Sequence, residues 1–381
     1  MLPRTADVII VGGGVIGCAT AFWLAKAGLA PLVLERNQLG CEASGESAGM
    51  LAPQSEADAA GSFLDFGLAG RRLFPSLAEE LKASTGVDIE YRQIGILVPF
   101  FREADLSARV ARARWQRESG LSAEVLDRSD ALKAEPLLSD TIEGAISFPE
   151  EAHVNSRALV TALADAAGRL GATFITGCPA VGVIRREDTL SGIRTANGTV
   201  STKTVVLAAG PWSGPFGDTL GLRIPVAPAK GELVLVRPAG RLPRRIIYAK
   251  QAYLIPTPRG EAILGTTVEF VGYDKRPTVA GVRAILAGLS EVIPAIASAG
   301  FLRCWAGLRP HTPDELPLIG RHPALEGLTL ATGHYRNGIL LGPLTGRLVQ
   351  ELILGRVLSI PIEPFRPERP VPRPTNERDS I

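Results

Sequence analysis

Cysteine is scarce in this chain of 381 residues, with only Cys18, Cys41, Cys178 and Cys304, far apart and never in a CxxC pair. Such spacing excludes the disulfide framework of a small secreted domain and offers no thiolate set for zinc, so no metal is expected and a reducing cytoplasm fits. A dominant charge is missing as well: 41 Lys and Arg stand against 39 Asp and Glu, a formal charge of +2. That balance argues against a nucleic-acid surface and leaves a small molecule as the expected partner. Long apolar runs are confined to one, Val8 to Ala25, which carries no charge and could pass for a signal-peptide core or a membrane helix. Asp7 before it, the glycines inside it, and Lys26 and Glu35 beyond it speak against both, since a signal peptide starts basic and ends at a cleavage site. No other stretch is long enough to span a bilayer, so no integral membrane protein is expected, and no internal repeat is visible.

What the chain has is apolar mass. With 46% hydrophobic residues at this length it exceeds one ordinary core, which predicts two lobes sharing one polypeptide. Asp7 to Val11 reads as a buried strand, Val15 to Ala27 as a helix stopped by Gly28, and Pro31 to Leu34 as a second strand, together a βαβ unit. Helical spacing follows near Phe66 to Ser84, and Gly95 to Phe100 opens a region of different alternation. Ser156 to Leu170 is again helical, and Ala172 to Ile175, Val181 to Ile184 and Thr204 to Ala208 read as strands expected to rejoin the first sheet. Between Lys230 and Phe270 the runs GELVLVRP, AYLIPTPRG and AILGTTVEF alternate with Pro and Gly turns, the mark of an antiparallel sheet with one covered face. Leu328 to Ala331 is a last strand, Thr332 to Gly338 a turn, and Ile339 to Leu354 a closing helix ended at Gly355. Residues 363–381, rich in proline and arginine, are expected to form a loose strap or a disordered end.

The strongest local signal is DVIIVGGGVIG. Gly12, Gly14 and Gly17 form GxGxxG between a strand and a helix: the first makes the tight turn, the second admits a pyrophosphate, and the third lets helix meet strand. The N-terminus of that helix, at Val15 and Ile16, then faces the phosphates. Glu35 ends the second strand roughly 20 residues on, where a carboxylate accepts from ribose hydroxyls. A phosphorylated ribose would meet that charge, so NADP is disfavoured, while FAD and NAD stay open at this point. The fold class expected is α/β, α+β overall: a Rossmann-type lobe and a second lobe built on an antiparallel sheet.

Five segments beyond that fingerprint carry a family resemblance: SGESAGMLAP from Ser44 to Pro53, VVLAAGPWS around Ala209, Gly210 and Trp212, AGLRPHTPDELPLIG from Ala306 to Gly320, ATGHYRNGILLGPLTG from Ala331 to Gly346, and VGGGVIG itself with Glu35. The chain resembles the D-amino acid oxidase superfamily of FAD-dependent amine oxidoreductases, and within it the glycine oxidase branch, which serves thiamine biosynthesis. The resemblance runs nearly the whole chain. It implies noncovalent FAD, because the flavin-attaching cysteine of the related sarcosine oxidases aligns with Gly307 and Cys304 is out of register. It also implies an FAD-binding lobe of residues 1–85, 150–220 and 320–362, and a substrate lobe of residues 86–149 and 221–319. Further cofactor contacts implied are Arg36 beside Glu35, Ser44, Ser47, Ala48, Gly49 and Met50 in the first serine-rich segment, and Val181. Late in the chain they are Gly307 and the run His334, Tyr335, Arg336, Asn337, Gly338 and Ile339.

For the substrate, the resemblance implies that Arg309, Tyr253 and Arg336 hold a carboxylate. The chemistry suits them: a planar guanidinium grips a carboxylate with parallel charge-assisted bonds, and a phenol adds a neutral third. The helix opening after Thr332 to Gly338 is expected to turn its positive end toward the flavin pyrimidine ring. His334 and His311 are read as structural donors, and no obligatory acid or base is expected. The expected activity is oxidation of glycine, sarcosine or small D-amino acids with oxygen as acceptor, by a cytoplasmic homotetramer. A dehydrogenase passing electrons to a partner or quinone is the alternative.

Overall fold

The computed structural model describes residues 2–249 and 252–370. A six-stranded sheet runs in the order Leu318–Arg321, Leu328–Thr332, Val205–Leu207, Val8–Val11, Pro31–Leu34 and Thr173–Ile175. Every neighbouring pair in it is parallel except the edge pair of Leu318–Arg321 with Leu328–Thr332. VIIV at Val8–Val11 and PLVL at Pro31–Leu34 are buried at every position, as strands covered on both faces must be. The pleat divides these side chains. Val8, Ile10, Val33 and Val206 pack with the helices Val15–Lys26, Ser62–Thr85, Ser156–Arg169 and Gly338–Ile353, whereas Ile9, Val11, Leu32, Leu34 and Leu207 pack on the other side.

That other side is closed by a separate sheet of Ala180–Arg186, Thr189–Thr195 and Gly198–Ser201. Val181 to Ile184, expected in the first sheet, belongs instead to this separate one. Tight antiparallel turns join those strands, and a hairpin run has no crossover with which to enter a parallel sheet. Thr173–Ile175 and Val205–Leu207 do join it, as expected.

The second sheet has eight strands, drawn only from residues 96–148 and 227–311, in the order Gly300–His311, Ala227–Arg237, Ala262–Gly265, Tyr253–Pro256, Ile246–Tyr248, Ile96–Phe100, Gly144–Phe148 and Glu124–Asp127. It is antiparallel apart from one parallel pair, Ile246–Tyr248 with Ile96–Phe100. One face, with Leu97, Val234, Leu254 and Leu264, is covered by the helix Val279–Val292. The opposite face carries Leu233, Tyr253, Ile255 and the partly buried Trp305, and meets Ala48, Met50 and Ala52. The run AILGTTVEF is strand only as far as Gly265, so Thr266 and Thr267 leave the ladder and Thr266 lines the cavity.

Helix Gly338–Ile353 begins one residue before its expected start and tolerates Pro343. It crosses helix Val15–Lys26 so closely that a Cβ on Gly346 would stand 2.5 Å from the Ala19 carbonyl carbon. The expected loose strap is corrected for its first residues. Glu363–Phe365 form a short 3-10 turn, Phe365 is 1% exposed with its ring 4.8 Å from that of Phe66, and Arg369 pairs with Asp314 at 2.8 Å. One aromatic ring and one paired guanidinium suffice to dock a proline-rich segment whose backbone is already restricted. Residues 371–381 lie outside the described residues. Phe365→Ala should therefore destabilise the protein by about 3 kcal/mol, read as a lower urea midpoint at unchanged slope. An unmoved midpoint would restore the loose strap.

Candidate functional site

The nucleotide turn is built from backbone. Gly12 has φ +110°, and a Cβ there would stand 2.4 Å from the Ala208 carbonyl oxygen. A Cβ on Gly17 would stand 1.9 Å from the Gly12 oxygen, so strand, turn and following helix touch without side chains between them. Glu35, buried, accepts from the Gly13 amide at 2.7 Å with one oxygen and from the Asn37 amide at 2.8 Å with the other. Ser44 Oγ accepts from the Val15 amide at 2.9 Å, inside the first turn of the helix. Arg36 lies 3.6 Å above the Trp212 ring and pairs with Glu42 at 3.0 Å.

From this turn a cavity of about 460 Å³ runs to the eight-stranded sheet, within the range of ligand sites. Every residue expected to touch cofactor or substrate lines it, except Gly17, which makes the helix–strand contact described above. The cavity joins the glycine turn and Trp212 to Tyr253, Arg309 and Arg336, residues scattered over most of the chain.

At the sheet end, Arg309 donates to the Thr267 carbonyl at 3.0 Å and to Thr266 Oγ1 at 2.7 Å. No carboxylate lies within ion-pair distance of it among the described residues. Burial holds its pKa below the usual guanidinium value, although Tyr253 and the more distant Glu56 oppose this and it stays cationic at any physiological pH. Room for it comes from Gly231 on the neighbouring strand, where a Cβ would be 2.1 Å from Nη2. Tyr253 is 7% exposed and finds its room the same way, beside Gly265, whose Cβ would be 2.4 Å from the ring carbon bearing the hydroxyl. Burial raises its phenol pKa, with Arg309 opposing, so it is a neutral donor.

Arg336 is differently placed. Its Nη2 donates to Glu56 Oε1 at 3.0 Å and to the Tyr248 oxygen at 2.6 Å, and the Tyr248 hydroxyl donates to Glu56 Oε1 at 2.8 Å. Burial works against the Arg336 charge, but Glu56 prevails and holds its pKa above the ordinary value. Its neighbour Tyr335 has φ +45°, a conformation few side chains adopt, and stacks edgewise on His311. Glu56 and Tyr248 escaped the sequence reading because neither sits in a recognisable motif. Gly231 and Gly265 had a signal, since glycine within a strand marks a close approach.

Beside this geometry, a dinucleotide turn joined by one cavity to a guanidinium with no counter-ion among the described residues, the chain matches a family model. The description of that family is FAD dependent oxidoreductase (DAO), and it matches residues 7–352. The chain belongs to this family. It is 36% identical to the glycine oxidase of Geobacillus kaustophilus over 94% of this chain and 96% of that protein. It is 35% identical to the bifunctional protein ThiO/ThiG of Synechocystis over 97% of this chain but 54% of that longer protein. The crystal structure of glycine oxidase from Geobacillus kaustophilus superposes with a TM-score of 0.94 at 34% identity, covering 97% of this chain and 100% of that one.

The protein is thus an FAD-dependent oxidoreductase, and its residues fit FAD. The bare glycine turn leaves backbone to face a pyrophosphate, Ser44 and Ser47 supply hydroxyls, and Asn337, Gly338 and Ile339 bring a helix N-terminus to the cavity. No cysteine lines the cavity among the described residues. Gly307 and Arg309 line it from alternate positions of their strand, whereas Cys304, of opposite parity, packs toward the Val279–Val292 side. No cluster of three or more His, Cys, Asp or Glu that could hold a metal ion exists among the described residues, and no helix there is long and apolar enough to cross a membrane.

His334 lines the cavity but is bonded by Nε2 to Thr345 Oγ1 at 2.9 Å, and burial pushes its pKa down from 6.5 to about 3. A histidine with a depressed folded pKa contributes stability above its unfolded pKa and loses it as pH falls toward the folded value. Between pH 7 and pH 5 this group should cost the wild type about 2 kcal/mol of stability that His334→Asn keeps. Urea titrations at the two pH values measure the difference, and parallel losses in both proteins would contradict a buried neutral imidazole.

Proposed function

We propose that this enzyme oxidises glycine and other small amine acids, such as sarcosine and small D-amino acids, to the 2-oxo acid, ammonia or amine and hydrogen peroxide. The observation that carries this reading is Arg309, a largely enclosed guanidinium with no carboxylate partner among the described residues, opening on the same cavity as the dinucleotide turn. An unpaired charge in such a place favours an anion, and a carboxylate is the anion that a planar guanidinium matches in shape. Tyr253 adds a neutral donor beside it, and Arg336, already neutralised by Glu56, adds orientation more than charge. The glycine oxidase relatives and the thiamine-related name of the bifunctional one support a small amino acid as substrate.

Bound FAD would supply the two-electron acceptor for a hydride from the substrate Cα, with oxygen as the final acceptor and hydrogen peroxide as the product. The chain's own part is alignment. Arg309 and Tyr253 fix the carboxylate, so Cα can take only a few positions in the cavity, and the neutral amine keeps the lone pair that becomes the imine bond. Water then hydrolyses the imine outside any protein catalysis. His334, neutral and bonded to Thr345, and His311, packed between Phe270 and Tyr335, have no part in proton transfer. Cysteine placement outside the cavity supports noncovalent FAD. We further propose that the two large sheets mark an FAD lobe and a substrate lobe, and, on family likeness, that the enzyme is a cytoplasmic homotetramer.

Glycine, sarcosine and D-alanine are each expected to bleach the flavin anaerobically and to yield peroxide in air. Bleaching followed by slow reoxidation, rescued by an artificial acceptor, would make the protein a dehydrogenase instead, and no bleaching would remove the amino-acid reading. Arg309→Ala should keep its FAD while raising KM for glycine about 100-fold or more. Gly231→Ala should do nearly the same with the charge still present, because its methyl group occupies the place of the guanidinium. Normal KM in Gly231→Ala would show that the position of Arg309 is unimportant.

A further inference from the structure

Glu56 reaches the cavity from a turn, Pro53–Glu56, that is four residues long and whose N-cap, Ala52, offers no side-chain acceptor. The acceptor comes from a distant segment. Glu151 Oε1 takes the Gln54 amide at 2.6 Å, and Oε2 takes the Ser55 hydroxyl at 2.6 Å. The carbonyls of the same turn are held just as firmly: Arg112 Nη2 donates to those of Gln54, Ser55 and Ala57 at 3.2, 2.8 and 3.0 Å, and Gln116 Nε2 to that of Gln54 at 3.0 Å. Arg71 donates to the Gln54 side chain at 2.9 Å and stands 3.8 Å from Glu151.

Glu151 is 0% exposed, and no step of the chemistry above uses it. Burial pushes its pKa up to about 7, with the Ser55 and Gln54 bonds and the Arg71 charge pulling the other way. A carboxyl kept at that disadvantage holds a turn that ends on Glu56, the carboxylate bonded to Arg336. Building on the reading of the cavity as an amino-acid site, we propose that Glu151 is a positioning residue for substrate binding. Through the Gln54–Ser55 backbone it fixes Glu56, and through Glu56 it sets where the Arg336 guanidinium stands. Carboxylate binding is the same before and during hydride transfer, so the effect falls on KM more than on kcat.

The test is a double-mutant cycle on the FAD-loaded enzyme with Glu151→Met, Glu56→Gln and the pair, alongside Glu151→Gln, which keeps an acceptor. Each single variant of the cycle is expected to raise KM for glycine about tenfold with kcat within about threefold. The pair should be no worse than Glu56→Gln alone, and Glu151→Gln should return to within about threefold of wild type. Multiplying effects in the pair, or an unchanged KM in Glu151→Met, overturns the proposal. If Glu151→Met fails to retain flavin, Ser55→Ala decides in its place, since it removes only the hydroxyl link: a raised KM supports the proposal and an unchanged one overturns it. A wild-type flavin that no amino acid bleaches defeats the substrate reading instead. What the inference says of the turn is then decided separately by amide exchange over residues 54–57, which should quicken in Glu151→Met and not in Glu151→Gln.

Discussion

Keeping a guanidinium largely out of water with no carboxylate beside it is unfavourable, and among the described residues the sheet end of this cavity is arranged around that constraint at Arg309. Two glycines on adjacent strands give up their side chains so that Arg309 and Tyr253 can lie flat against the sheet. Thr266 and Thr267 leave the ladder and satisfy the guanidinium with an oxygen each, neutral acceptors that hold the group without discharging it. The second arginine has its own carboxylate in Glu56, so of the two only Arg309 is left without one among the described residues.

The nucleotide half answers a different constraint, the width of backbone. Where Gly12, Gly17 and the Ala208 carbonyl converge there is no space for a methyl group, and the close crossing at Gly346 lets the closing helix lie against the first one. The start of the closing helix is thereby brought to the cavity that the first helix opens. Packing of glycine on backbone, remote from the substrate, thus carries the second wall of the site to its place.

Much of this was legible in the chain. The βαβ unit, the closing helix and the antiparallel alternation after Lys230 all appear close to their expected bounds, because each rests on periodicity or on a backbone conformation that only certain residues permit. The reading failed where partners are remote in sequence. Val181 to Ile184 has the look of any strand, and only its hairpin neighbours place it in a separate sheet. Phe365 is one aromatic among prolines, and its burial depends on a gap beside Phe66 that no local pattern announces.

The sequence by itself determined the dinucleotide turn, the acid that follows it and the residue types able to grip a carboxylate. These follow from short-range sterics and from side-chain chemistry that belongs to the residues wherever they lie. Only the tertiary structure decided which arginine keeps an open charge, since the partner of Arg336 lies 280 residues away at Glu56 and that of Ser55 lies 96 away at Glu151. Ion pairing falls off within a few ångströms, so it is fixed by how the sheets and helices pack.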